Sequence, residues 1–128
     1  VMAKIVKDRQ PELTRAELEI MQVIWDKGKV LVHDILSEMS EPKPAYNTVS
    51  TVVRILEKKG YVGHKAYGKT HEYFPLVERE EYTNGYMNSV LNNFFGGSVS
   101  RMMSFFTRNE KISLSEADEI LKILQEKK

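Results

Sequence analysis

Apolar residues recur at intervals of three and four along most of this chain, and one stretch near the middle alternates instead. Thr14 and Glu17 stand at capping-box spacing and open a helix whose apolar positions are Leu18, Met21, Ile24 and Trp25, with Gly28 as its stop. A second, short helix fits Val32 to Met39, turning Ile35, Leu36 and Met39 inward, before Ser40-Glu41-Pro42-Lys43-Pro44 breaks the pattern. The third helix runs from about Ala45 to Lys59. Val49, Val52, Val53 and Leu56 lie at i, i+3, i+4 and i+7 on one core-facing stripe, and Gly60 ends it. Two β-patterned segments follow, Tyr61 to Tyr67 and His71 to Phe74, joined by Gly68-Lys69-Thr70 as a hairpin. Three helices and then a two-stranded ribbon predict a winged helix-turn-helix.

From Glu78 onward the texture changes. Tyr82, Tyr86, Val90 and Phe94 recur every four residues with Met87, Leu91 and Phe95 beside them, giving a helix with a broad apolar face. Gly96-Gly97 interrupts it, and Val99, Met102, Met103, Phe105 and Phe106 form a further apolar stretch. Ser115, with Glu116 and Asp118, is the expected start of a last helix burying Ile120, Leu121, Ile123 and Leu124. So apolar a tail, with no sheet of its own to cover, is best buried against a second copy of itself. The expected architecture is mostly α with a small β-ribbon. A winged-helix domain occupies residues 1–76 and a helical dimerisation domain residues 77–128, with Tyr86, Val90, Leu91, Phe94, Phe95, Met102, Phe105, Ile120, Leu121 and Leu124 as its contacts.

Charge then assigns a role to the first domain. Between residues 43 and 71, Lys43, Arg54, Lys58, Lys59, Lys65 and Lys69 face a single acid, Glu57, so this window is +5 in a chain of net charge +1. A local basic stripe on a mildly acidic remainder is the electrostatic footprint of a nucleic-acid reader. On the third helix the face opposite the apolar stripe holds Asn47, Ser50, Thr51, Arg54 and Lys58, side chains suited to base edges and phosphates. Tyr46, Asn47, Thr48, Ser50, Thr51 and Arg54 are the expected major-groove contacts. Lys43 and Lys58 are expected to join them on the DNA, and Lys65, Lys69 and His71 on the ribbon are expected to hold its backbone.

Other chemistry finds little support. The chain has no cysteine, which excludes disulfides, thiolate zinc sites, Fe–S ligation and a cysteine nucleophile. His33, His64 and His71 are few and scattered in sequence, so neither a metal nor any other cofactor is expected. Without a Gly-rich phosphate loop, a Ser-His-Asp arrangement or an isolated carboxylate pair, an enzyme is not expected either. No leader pattern and no apolar run long enough to cross a bilayer leave the cytoplasm as the expected location. The rival from another class is a winged-helix module that binds protein, which would show an acidic or apolar outer face on the third helix.

Several of these residues carry a family resemblance. Leu13-Thr14, Glu17, Met21 and Trp25, then Thr48-Val49-Ser50-Thr51 and Leu56 with Lys59-Gly60, then Tyr73-Phe74-Pro75-Leu76-Val77 and Gly96-Gly97-Ser98, resemble the penicillinase and methicillin-resistance repressors of the BlaI/MecI/CopY family, in order and spacing over about residues 12 to 127. The resemblance implies a homodimeric winged-helix repressor on double-stranded operator DNA with an inverted repeat. It also implies release when a membrane-bound metalloprotease sensor detects a β-lactam and the repressor is cleaved near its dimerisation helices. Where the family's resistance repressors have Asn-Phe at the scissile bond, this chain has Ser104-Phe105. The family's usual arginine just before the third-helix leucine is replaced by Ile55, with Arg54 one position earlier, which rotates the cation by about 100° around the helix. The copper-responsive branch binds metal through paired cysteines that are missing here.

Overall fold

A computed structural model describes residues 12–109 and 112–126. It divides into two compact units, Val1–Gly85 and Tyr86–Lys128. In the first, α1 (Arg15–Lys27), α2 (Val32–Glu38) and α3 (Tyr46–Lys58) precede a two-stranded antiparallel ribbon, β1 (Val62–Tyr67) and β2 (Thr70–Pro75).

Local chemistry sets each boundary. Thr14 Oγ1 accepts the Glu17 N–H at 3.2 Å while Glu17 Oε1 accepts the Thr14 N–H at 2.8 Å, so the capping box at α1 is complete. Gly28 closes α1 at φ 85°, and its N–H donates to the Ile24 carbonyl at 2.7 Å. At α2 the Asp34 carboxylate accepts the Leu31 N–H at 2.9 Å. The ribbon turns over two residues only, with Tyr67 opposite Thr70 and Gly68 at φ 65° in the first turn position, a conformation that favours glycine. The strands therefore extend through Thr70 and Pro75, and the loop is one residue shorter than the expected Gly68-Lys69-Thr70.

The core of this unit gathers Ile20, Met21 and Ile24 from α1, Ile35 from α2, Val49, Val53 and Leu56 from α3, and Tyr61, Val62 and Tyr73 from the ribbon. Val30 exchanges backbone hydrogen bonds with Tyr73 at 2.9 and 2.7 Å, which adds a one-residue bridge to the base of the wing. The α1 stripe is rotated from its expected position. Ile20 and Glu17 go inside, while Leu18 and Trp25 are only half-buried. Trp25 instead donates its indole N–H to the Val77 carbonyl at 2.8 Å.

The division between units falls within α4 (Arg79–Phe95). Its first turns belong to the winged-helix unit. Tyr82 packs against Trp25 and Tyr61, at ring distances of 6.0 and 5.8 Å, and Arg79 pairs with Asp26 at 2.6 Å. Tyr82 thus joins the first core's surroundings and not the apolar face of the tail to which its spacing assigned it. The burial around Tyr61 pushes its phenol up to about 12, with Tyr82, Glu17 and Glu12 adding to the effect, so it stays neutral across the physiological range.

The second unit holds the remainder of α4, then α5 (Val99–Arg108) and α6 (Leu114–Glu126). Gly96 and Gly97, at φ 58° and 78°, end α4, and Ser98 caps α5 by accepting the Arg101 N–H at 3.1 Å. Phe95, Phe105 and Phe106 stack edge to face in sequence, at 5.6 and 5.9 Å. The start of α6 differs from expectation. Ser113, not Ser115, makes the reciprocal cap with Glu116, at 3.2 and 3.3 Å. The glutamate three positions after Ser113 reaches back to the Ser113 N–H and completes the reciprocal pair.

Candidate nucleic-acid interface

Helix α3 presents the polar face that its pattern predicts. Val49, Val53 and Leu56 are buried, so Asn47, Thr51, Arg54 and Lys58 point outward along the opposite side, all exposed. The Arg54 guanidinium donates to Ser50 Oγ at 3.2 Å, one turn back, which steadies a long cation against the helix. Thr51 donates its hydroxyl to the Asn47 carbonyl at 2.8 Å, one turn back, and is itself exposed. Ile55 is exposed beside this row.

Tyr46 and Thr48 lie on opposite flanks. The Tyr46 ring packs on His33 at 4.8 Å, toward the wing, while Thr48 lines a small apolar groove with Ala16, Ile20, Met39 and Pro44. On the ribbon, His64, Ala66, His71 and Tyr73 share one face by alternation, and Lys65 and Tyr67 the other, where the Lys65 ammonium sits 5.4 Å over the Tyr67 ring. Lys69 occupies the tip. Between α3 and the wing opens a cleft of about 480 Å³ whose lining includes Ser50, Arg54, Lys69 and His71.

Two of the six cations are engaged elsewhere. Lys59 turns inward and pairs with the buried Glu17 carboxylate at 2.8 Å, joining the start of α1 to the end of α3. Lys43 donates to the Leu36, Ser37 and Met39 carbonyls at 3.1, 3.2 and 2.7 Å, so its ammonium caps the C-terminus of α2. Arg54, Lys58, Lys65 and Lys69 remain outward-facing. Of the acids nearby, Glu57 is engaged 2.6 Å from His64, and Glu72 stands opposite Lys65 across the ribbon. The three histidines, scattered in sequence, all line the cleft. Among the described residues no group of three or more His, Cys, Asp or Glu side chains is arranged to hold a metal ion.

In the second unit no described residue is buried. Phe94 is 76% exposed, and Leu121 and Leu124 are 55% and 60% exposed. Tyr86 and Phe105 are also exposed, whereas Val90, Leu91, Phe95, Met102 and Ile120 are half-buried. Ser104-Phe105 lies in the middle of α5, where the Phe105 carbonyl accepts two hydrogen bonds from Asn109. Any protease reaching this bond must first unwind the helix locally. Among the described residues no helix is long and apolar enough to cross a membrane.

Comparison with known proteins accords with this geometry. A penicillinase repressor from Bacillus licheniformis is 31% identical over 119 residues, 92% of this chain and 93% of that protein. The methicillin resistance regulatory protein MecI of Staphylococcus aureus (strain N315) is 28% identical over 91% of this chain and 95% of its own length. The solution structure of the DNA binding domain of the repressor BlaI matches with a TM-score of 0.50 at 29% identity, over 58% of this chain and 92% of that one. The penicillinase repressor family model matches residues 13–126, nearly the whole described chain, and this protein belongs to that family.

Proposed function

We propose that this chain is a homodimeric, sequence-specific transcriptional repressor of a β-lactamase- or resistance-type operon, relieved by cleavage within the second unit. The observation that carries the reading is the outer face of α3, polar and cationic, set beside a lysine-tipped wing in a member of this family. Asn47, Ser50, Thr51 and Arg54 read the major groove, flanked by Tyr46 and Thr48. Lys58, Lys65, Lys69 and His71 hold the backbone. The first unit forms the DNA-binding domain and the second, from Tyr86 onward, the dimerisation domain. The partners are an inverted-repeat operator, a second copy and a membrane-bound sensor metalloprotease. A protein-binding winged helix is disfavoured by the same face, which is neither acidic nor apolar.

Two substitutions test the assignment. Arg54→Ala is expected to cost roughly 1–3 kcal/mol on the preferred duplex and to relax discrimination at one base pair. Lys69→Ala is expected to weaken all sequences alike and to shallow the salt dependence, which should reflect on the order of 6 to 10 phosphate contacts per dimer. Titrations on preferred and scrambled duplexes at several salt concentrations separate the two. A Lys69→Ala loss confined to the preferred site contradicts its backbone role.

A further inference from the structure

The acid on the recognition helix needs a physical reason, because a carboxylate beside phosphates is repelled by them. Glu57 Oε2 lies 2.6 Å from His64 Nδ1 on β1, and since an ionised carboxylate only accepts, His64 donates. The His64 ring stacks on His71 of β2, with centroids 4.2 Å and planes 12° apart, a diagonal contact across the ribbon. Both rings also meet buried Tyr73, at 5.8 and 6.2 Å. A continuous contact therefore runs from α3 across both strands to within two residues of Lys69. Outward from Val62 and Tyr73 the strands are largely exposed, so little else secures the outer ribbon.

We propose that Glu57, His64 and His71 form a latch that fixes the wing relative to α3, so that Arg54 and Lys69, which line the same cleft, engage one duplex together. Glu57 and His64 are positioning residues, His71 adds this role to its own backbone contact, and the inference rests on α3 and the wing being the DNA contacts. Fixing the wing before binding removes part of the ordering cost that a loose hairpin meets on the DNA.

Full-length protein and a duplex enriched from random-sequence DNA provide the test, read by fluorescence anisotropy. General electrostatics predicts that Glu57→Ala and Glu57→Gln tighten binding equally. The latch predicts a split. Glu57→Gln, whose amide oxygen still accepts from His64, binds at least as well as the parent, while Glu57→Ala binds about threefold to tenfold more weakly. His64→Phe, which keeps a stacking ring without the hydrogen bond, is expected to match Glu57→Ala and so provides an independent variant on the other side of the contact. Lys69→Ala should weaken the parent but add little in the Glu57→Ala background. Equal tightening by both Glu57 variants, or an undiminished Lys69→Ala cost in the Glu57→Ala background, overturns the latch alone. A parent insensitive to Lys69→Ala overturns the wing's DNA contact, and the latch with it.

Discussion

Ending the chain after Ser104 is expected to leave a folded, largely monomeric protein that holds its operator about 100-fold or more weakly than the intact chain. The core residues of the first unit lie between Ile20 and Val77, so none is removed. The deletion takes away Phe105, Ile120, Leu121, Ile123 and Leu124, and with them much of the second unit's exposed apolar surface. Two joined half-site contacts become two separate weak ones, and the loss arises without touching α3. Light scattering across a dilution series and operator titration of the truncated chain check both halves. A truncated dimer with unchanged affinity would exclude cleavage as the switch and favour a ligand or partner acting on the intact protein.

Replacing Glu17 by Ala is expected to destabilise the winged-helix unit by roughly 2–4 kcal/mol. The substitution removes one half of the α1 capping box and leaves the partly buried Lys59 ammonium without its counter-charge. Glu17→Gln, which keeps an acceptor for the Thr14 N–H, should lose less. The same contacts set a pH dependence. Burial alone would push the Glu17 carboxyl up, but the Lys59 ammonium and the hydrogen bonds with Thr14 outweigh it and hold the carboxyl below its ordinary value. A lowered folded-state value means the stabilisation is complete above the ordinary glutamate range, about 4.3, and is lost as pH falls through the lower folded value. Denaturant unfolding at neutral and acid pH should show the parent losing part of its advantage over Glu17→Gln in acid. An advantage that stays constant down to strongly acid pH contradicts the pairing.

Most of the winged helix is legible in the sequence because its signals are local. The Thr14/Glu17 box, Gly28, the Val49–Val53–Leu56 stripe and Gly60 each act within a few residues, and each does in the structure what its spacing predicts. Long-range pairing is not legible in this way. Lys59 counts among the basic stripe until the fold brings Glu17, 42 positions away, beneath it. The stacked histidines depend on register. A three-residue turn would set His71 opposite Tyr67, whereas the two-residue turn sets it opposite Ala66 and diagonal to His64. One residue of loop length thus decides whether the latch exists. Alternation alone gives no sign of it.

Selection of bound duplexes from random-sequence DNA by the intact protein addresses the repressor assignment itself. The expected product is an inverted repeat whose half-sites lie about one or two helical turns apart, since a two-fold dimer presents two copies of α3. Its affinity should fall steeply with salt. Recovery of no enriched sequence, or of one lacking two-fold symmetry, would contradict a dimeric reader of operator DNA.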